Sequence, residues 1–154
     1  MDNKKICFAA SSGGHLEQLM MLEPLMLKYR SFIVTEKTLY KSYDFKTKHY
    51  FVSQVNRTDR FFIMKLILIS FKSLFIFLKE RPDYVICTGV LAMLPLCIFT
   101  KIFRKRLVYI ESFAKVTTPT ETGKLLYRFV DRFYVQWETL CEVFPSAIYK
   151  GGIY

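Results

Sequence analysis

The chain is predicted to fold as an α/β domain in which a parallel sheet carries helices on both faces. Two observations support this prediction. Short apolar runs alternate along the chain with longer segments of helical periodicity, a pattern typical of parallel strands joined by helices. The length of 154 residues suits one such domain, and no repeat, low-complexity tract or linker divides the chain. We therefore expect one domain over residues 1–154, with ligands bound beyond the carboxyl ends of the strands.

The individual elements follow from the spacing of the apolar residues. Strands are predicted at residues 5–10, 31–35, 49–52, 84–87, 106–110, 132–135 and 147–149. Helices are predicted at residues 16–29, 59–79, 90–103, 123–130 and 138–144. This order of strands and helices is Rossmann-like.

The composition limits the classes of partner that the chain is expected to bind. The chain is 52% apolar and 17% aromatic, and its net charge is +10. This combination favours contact with an anionic lipid surface, whereas nucleic acid accounts for the charge but not for the apolar content. The four cysteines are widely spaced, and the residues before the first glycine turn are too few for a signal peptide. We expect a reduced, cytoplasmic protein without a disulfide framework, a metal site or a cofactor.

The first candidate site is the turn Ser11-Ser12-Gly13-Gly14-His15, which follows an apolar strand and precedes a helix. Glycine allows a ligand to approach the backbone closely, and the first N–H groups of a helix have no partner within it. The turn therefore suits an anion, and His15 adds a proton donor or acceptor. The alternative is an ordinary strand-to-helix turn that needs small residues.

Two apolar stretches resemble membrane segments. Within residues 61–79, Lys65, Lys72 and Lys79 recur every seven positions and form a basic stripe along one side of a helix. This pattern predicts a helix lying in the membrane interface, and the alternative is a helix packed on the sheet. Residues 84–100 are better explained by a strand, a turn and a helix than by a span, and the basic residues Lys101, Arg104, Lys105 and Arg106 follow them. We expect peripheral attachment, with Lys65, Lys72, Lys79, Lys101, Arg104 and Lys105 contacting the membrane.

Three further strand ends carry unusual residues. They are Thr88-Gly89, then Glu111-Ser112 with Lys115 shortly after, and Gln136-Trp137. Because the carboxyl ends of parallel strands meet at one edge, these residues are expected near the glycine turn. Each also has a simpler explanation: Gly89 in tight packing, Glu111 in capping a turn, and Trp137 in the core.

Taken together, these segments resemble a known family. The ordered motifs are S-S-G-G-H-L-E-Q-L, R-P-D-Y-V-I-C-T-G, Y-I-E-S-F-A-K-V, T-G-K-L-L-Y, V-Q-W-E and Y-K-G-G-I-Y. The chain is similar to the membrane-associated subunit of the two-part N-acetylglucosaminyltransferase of dolichol-linked oligosaccharide assembly. It also resembles the bacterial relatives of that subunit, the enhancer proteins of capsular polysaccharide β-1,4-galactosyltransferases.

The resemblance implies the N-terminal half of a GT-B glycosyltransferase, with the nucleotide sugar held by a separate donor-binding chain. The acceptor is then a sugar on a polyprenyl diphosphate such as undecaprenyl diphosphate. His15 or Glu111 is the implied catalytic base. The residues that the resemblance implies in contact with the acceptor and its phosphates are Ser11, Ser12, Gly13, Gly14, Thr88, Gly89, Ser112 and Lys115.

Gln136, Trp137, Gly151 and Gly152 are expected at the interface with the partner, and the complex is expected on the cytoplasmic face of the cell membrane. Because the chain lacks an anchor helix at its start, the bacterial branch is favoured. The resemblance leaves open whether the chain is itself an enzyme, and we expect it to be inactive alone. The alternatives are a complete single-chain UDP-sugar transferase and a basic nucleic-acid-binding module.

Overall fold

The computed structural model describes residues 4–37, 44–56, 58–89 and 91–154. Within these residues seven strands form one sheet in the order β3-β2-β1-β4-β5-β6-β7, with every neighbouring pair parallel. The strands are β1 (Lys5–Ala10), β2 (Arg30–Glu36), β3 (Lys48–Val52), β4 (Tyr84–Cys87), β5 (Arg106–Ile110), β6 (Arg132–Val135) and β7 (Ile148–Tyr149). The helices are α1 (Gly14–Met20), α2 (Glu23–Lys28), α3 (Phe62–Glu80), α4 (Leu94–Ile102), α5 (Glu121–Leu126) and α6 (Leu140–Val143). The predicted fold class is confirmed.

The strands β1, β2, β4 and β5 bury side chains on both faces of the sheet, which explains their uninterrupted apolar runs. On one face Cys7, Ala9 and Val85 pack with residues of α3, α4, α5 and α6. On the other face Phe8 and Ala10 pack with residues of α1 and α2. Parallel strands covered on both faces read as continuous hydrophobic runs rather than as alternating ones. The helices therefore lie on both faces, as predicted.

The helices differ from the prediction mainly at their ends. The predicted helix 16–29 is two helices, because the chain turns at Leu22 and a new helix begins at Glu23. Pro24 lies in its first turn, where the missing N–H has no partner within the helix. The predicted helix 90–103 begins with a 3₁₀ turn at Leu91–Met93, and Val90 lies outside the described residues. The α5 helix starts before the predicted residue 123 because the Thr120 hydroxyl caps the Gly123 N–H at 2.9 Å.

One buried carboxylate anchors the end of α3 to the strand starts. Glu80 forms ion pairs with Lys5 of β1 and with Lys48 of β3, and it accepts a hydrogen bond from the Tyr50 hydroxyl. Burial of Glu80 raises its pKa, but the hydrogen bonds from Lys48, Lys5 and Tyr50 outweigh burial and lower the pKa to about 2. The carboxylate is thus held charged at the edge where the strands begin.

The helix α3 leaves much of its apolar surface uncovered. Ile69, Ile76 and Phe77 face the core, while Phe71 remains 68% exposed. The other large apolar side chains exposed on α3 are Ile63, Met64, Ile67, Leu68, Phe75 and Leu78. Among the helices described here, none is both long and apolar enough to cross a membrane. The helix is therefore apolar on two sides, only one of which the sheet uses.

Candidate functional site

The candidate site lies where the order of strands reverses. From β1 the chain proceeds through β2 to β3 on one side of the sheet, and β4 then begins the other side. Adjacent strands β1 and β4 therefore open a crevice at their carboxyl ends, which is where α/β sheets of this type bind ligands. The glycine turn follows β1, and Thr88-Gly89 follows β4, so the first two predicted motifs meet at this crevice.

His15 is held across the crevice by the backbone of the Thr88 segment. Its Nδ1 lies 2.7 Å from the Thr88 carbonyl oxygen, and the Thr88 hydroxyl donates to the His15 carbonyl oxygen at 2.8 Å. A carbonyl oxygen can only accept, so Nδ1 carries the proton in the neutral ring and Nε2 keeps its lone pair. The ring is partly exposed. In this tautomer the imidazole can accept a proton through Nε2.

Gly89 permits this close packing. It has φ of +119°, and a Cβ atom added there would lie 3.0 Å from both Cε1 and Nδ1 of His15. Its carbonyl oxygen also accepts the Ser11 N–H at 3.1 Å. Gly89 is thus tightly packed, and the residue it packs against is the candidate catalytic histidine.

Some hydrogen-bonding groups of the glycine turn already have partners within the protein. The Ser12 N–H and hydroxyl both lie 3.2 Å from the buried Glu36 carboxylate, and the Ser11 N–H is bonded to Gly89. These two N–H groups are therefore used within the fold. Gly13 and Gly14 are exposed, and they are the members of the turn whose backbone faces solvent.

Glu111 follows β5 but is fully buried. Its carboxylate accepts the Ser112 N–H at 2.8 Å, the Thr120 N–H at 3.2 Å and the Thr120 hydroxyl at 2.9 Å. A Cβ atom at Gly123 would overlap this carboxylate. Glu111 thus closes the loop of residues 112–120, which carries Ser112 and Lys115. The geometry makes it an anchor of the loop rather than a group facing a ligand.

Two buried glutamines connect this loop with its neighbours. The side chains of Gln18 on α1 and Gln136 after β6 both donate to the Glu111 carbonyl oxygen, at 3.1 and 2.8 Å. Gln18 also accepts the Phe113 N–H at 3.0 Å. Gln18 thus bonds residues 111 and 113 to α1 through both ends of its amide, and Gln136 bonds residue 111 to the end of β6.

The C-terminal segment, residues 151–154, packs against the same loop and against Gln136. The Gln136 side chain accepts the Ile153 N–H at 3.1 Å, and the Trp137 indole donates to the Phe113 carbonyl oxygen at 2.6 Å. The Phe113 ring lies 5.0 Å from Trp137 and 4.8 Å from Tyr154, and Gly152 packs against it. Gly151 adopts a positive φ of +86°. All four predicted strand-end motifs therefore meet at one edge of the sheet.

The basic residues predicted to contact the membrane are not equivalent. Lys65 is paired with Asp59 at 2.8 Å, Lys101 with Asp131 at 2.8 Å and Lys105 with Asp83 at 3.0 Å. Lys72 and Arg104 are exposed, and the Lys79 ammonium lies over the rings of Tyr50 and Phe75. Residues 101–106 lie where the strands begin, at the edge opposite the crevice.

Three residues that hold the site together were not among the predicted site residues: Gln18, Glu36 and Phe113. Gln18 is a polar residue beside Leu16 and Leu19, and it is nevertheless buried. Glu36 immediately follows the predicted strand 31–35. A polar residue within the apolar pattern of a helix was the available signal for Gln18, and a carboxylate directly after a strand was the available signal for Glu36, whereas nothing local distinguishes Phe113.

Comparison with solved structures defines the class of fold. The chain superimposes on MurG of Acinetobacter baumannii with a TM-score of 0.71 and 15% identity, covering 88% of this chain and 42% of MurG. A co-structure of Staphylococcus aureus MnaA with UDP gives a TM-score of 0.74 and 11% identity, covering 97% and 45% of the two chains. The chain thus has a Rossmann-like domain of the kind found in GT-B glycosyltransferases and related epimerases.

Comparison of sequences gives the family. Residues 54–153 match the family described as "Oligosaccharide biosynthesis protein Alg14 like", and the chain belongs to this family. The UDP-N-acetylglucosamine transferase subunit ALG14 of Rattus norvegicus is 35% identical over 81 residues, which are 49% of this chain and 38% of that protein. The corresponding Schizosaccharomyces pombe subunit is 39% identical over 75 residues, 46% of this chain and 36% of that protein. The matches span less than two fifths of these relatives.

Proposed function

We propose that the chain is the acceptor-side subunit of a two-chain glycosyltransferase. As one domain over residues 1–154, it attaches peripherally to the cytoplasmic face of the membrane and binds a sugar on polyprenyl diphosphate. It recruits a donor-binding catalytic partner for capsular or exopolysaccharide repeat-unit assembly. The observation that carries the proposal is the His15–Thr88 contact at the switch point of a Rossmann-like domain in a member of the Alg14-like family.

In this proposal His15 is the catalytic base. Its Nε2 accepts the proton of the acceptor hydroxyl as the hydroxyl oxygen bonds to the anomeric carbon of the donor sugar. The bond from that carbon to the nucleoside diphosphate breaks in the same step, and the diphosphate leaves with its electron pair. The buried Glu111 keeps the loop of residues 112–120 in position and takes no proton.

The diphosphate of the acceptor is proposed to bind at the exposed part of the crevice. Gly13 and Gly14 present backbone there, and Lys115 on the adjacent loop supplies a positive charge. The bonded N–H groups of Ser11 and Ser12 hold the shape of the turn instead of contacting phosphate. Thr88, Gly89 and Ser112 then line the crevice as positioning residues.

Membrane contact is proposed along the uncovered side of α3. The helix of 19 residues is about 28 Å long, and it begins near the carboxyl ends of the strands. An interfacial position would immerse Ile63, Phe71 and Phe75 while Lys72 reaches lipid headgroups. The start of α3 would then bring the crevice close to the membrane, where a lipid-linked acceptor resides.

The partner is proposed to dock on the other face of the sheet. There α1 and α2 cover one side, and a cavity of about 390 Å³ remains open over β4, β5 and β6. Its lining includes Val108, Tyr134 and Gln136 and extends to Gly151 and Gly152. This apolar surface continues into the C-terminal segment, next to Trp137, and suits an element supplied by a second chain.

The base assignment is tested in the reconstituted complex. His15→Ala is expected to lower turnover about 10²–10⁴-fold because the proton acceptor is lost. Glu111→Gln, which keeps most of the loop hydrogen bonds, is expected to retain turnover within about tenfold. If His15→Ala retains full turnover with saturating donor, the assignment is wrong. Co-purification of each variant with the partner serves as the control for assembly.

A further inference from the structure

An apolar groove separates α4 from α5 on the face of the sheet that also carries α3. Its volume is about 350 Å³. Cys97, Leu107 and Leu126 form a buried floor. The walls are large side chains that are about half exposed, namely Ile98, Ile102, Leu125 and Phe129.

The lining defines the chemistry of an occupant. Lys101 is the charged residue of the lining, and its ammonium is held by Asp131 at 2.8 Å, so that the groove receives its hydrocarbon stem. A ligand in the groove would therefore contact mainly hydrocarbon and few hydrogen-bonding groups. An alkyl chain satisfies this surface, because burying it costs no polar desolvation.

The groove and α3 lie on the same face of the sheet, where α4 packs against α3. The Phe77 ring of α3 stacks on Phe103 at the end of α4 at 5.1 Å. Ile98 and Ile102 belong both to the groove and to the exposed apolar surface of α4. A membrane that contacts α3 would thus meet the groove along the same side of the molecule.

Charge at one end of the groove favours an anionic lipid. Lys101, Arg104, Lys105 and Arg106 gather there, and the acidic partners of this cluster are Asp83 and Asp131. Four cations against two carboxylates leave a positive surplus, which attracts a phosphate headgroup. This end lies at the start of the strands, opposite the crevice. The headgroup site is therefore separate from the place proposed for the diphosphate of the acceptor.

We propose that the groove between α4 and α5 holds an acyl chain of an anionic membrane lipid, with the headgroup against Arg104. The inference depends on the membrane contact in the proposed function. It adds a second anchor at the far end of the domain. Two anchors fix the orientation of the domain on the membrane, whereas α3 alone allows rotation about its axis.

Photolabelling locates the lipid. The full-length chain is bound to vesicles of phosphatidylcholine and phosphatidylglycerol that contain phosphatidylglycerol with a diazirine in one acyl chain. After irradiation, the expected adducts lie on α4 and α5 as well as on α3. In Leu125→Trp, which fills the groove, labelling of α4 and α5 should fall about tenfold while vesicle sedimentation changes less than about threefold.

Leu27→Trp is the matched control. Leu27 is 60% exposed on α2, across the sheet from the groove. Its substitution by Trp should leave all labelling unchanged. Adducts confined to α3, or unaltered groove labelling in Leu125→Trp, would overturn the inference while leaving membrane attachment intact. Groove labelling by a diazirine polyprenyl phosphate but not by the phosphatidylglycerol probe would also overturn it. Failure to bind vesicles at all would overturn both this inference and the membrane part of the proposed function.

Discussion

The Nδ1 atom of His15 and the carbonyl oxygen of Thr88 lie 2.7 Å apart, across the crevice between β1 and β4. The contact joins residues 73 positions apart in the chain, and the Thr88 hydroxyl closes a second bond in the opposite direction. Two bonds between the same two segments orient the imidazole and select the tautomer with a free Nε2. The close approach of Gly89 to the ring makes this arrangement dependent on the absence of a side chain at that position.

Gly89→Ala is expected to destabilise the chain and displace His15. A β-carbon at φ of +119° is strained and would press on the imidazole, at a cost of about 1–3 kcal/mol in the free energy of unfolding. Urea denaturation measures this cost, and turnover of the complex measures the displacement. For stability, Gly14→Ala is the matched control, since a Cβ there has no atom within 4 Å. Equal losses of stability in the two variants would contradict the role of Gly89.

Gly123→Ala is expected to act through Glu111. The added methyl overlaps the buried carboxylate, and relief requires movement of the loop of residues 112–120, at about 1–3 kcal/mol. Glu111→Ala alone leaves the Ser112 and Thr120 N–H groups without their acceptor, at a similar cost of about 1–3 kcal/mol. The double variant should be more stable than the sum of the two changes predicts, by at least about 0.5 kcal/mol. Strict additivity in denaturation experiments would show that the two residues do not interact.

The sequence predicted the strands well and the ends of the helices less well, for physical reasons. Strands β1, β4, β5 and β6 have the predicted bounds because each is a run of buried apolar residues bounded by polar or glycine residues. Helix ends depend on local caps, such as the Thr120 hydroxyl and the first-turn Pro24, which the spacing of apolar residues does not encode.

The candidate site was predictable to the extent that parallel strands bring their ends together. The partners within it were not predictable, because they join residues distant in the chain. The Glu36 bond to Ser12 spans 24 positions and the Gln18 bond to Glu111 spans 93. The basic stripe lies on α3 as predicted, but the pairing of Lys65 with Asp59 could not be inferred from the spacing of the lysines.

Glu80 is expected to make the stability depend on pH in the acid range. Its pKa falls from 4.5 to about 2 on folding, so the unfolded chain binds more protons between these values. Stability is therefore full above pH 4.5 and is lost as the pH falls towards 2, by about 3 kcal/mol from this group. Glu80→Gln should lower stability at pH 7 and flatten this part of the profile. Parallel urea-denaturation profiles of the two proteins from pH 5 to 2 would contradict the assignment.

Substitutions on α3 are expected to release the chain from vesicles. Phe71→Ser with Phe75→Ser removes two exposed apolar side chains and should weaken partition into anionic vesicles by at least about tenfold. Vesicle sedimentation measures this partition. Leu27→Ser, on the opposite face, is the control and should have no effect. Unchanged sedimentation of the double variant would show that α3 does not contact the membrane.

The lysines provide a finer test of the same surface. Lys72 is exposed, while Lys65 is bound to Asp59. Reversal of Lys65, Lys72 and Lys79 together to Glu should release the chain, because each charge near an anionic leaflet contributes about 1 kcal/mol. Singly, Lys72→Glu should weaken sedimentation more than Lys65→Glu does. The reverse order would contradict the position of the helix on the membrane.

The most direct test of the two-chain proposal is a turnover assay of the purified chain with and without a donor-binding glycosyltransferase partner from the same organism. Both samples receive a UDP-sugar and a polyprenyl-diphosphate-linked acceptor in anionic vesicles, and product is measured as sugar transferred to lipid. The account predicts transfer by the pair, loss of that transfer in His15→Ala, and no transfer by the chain alone. Sustained transfer by the chain alone would contradict it and identify a complete single-chain enzyme.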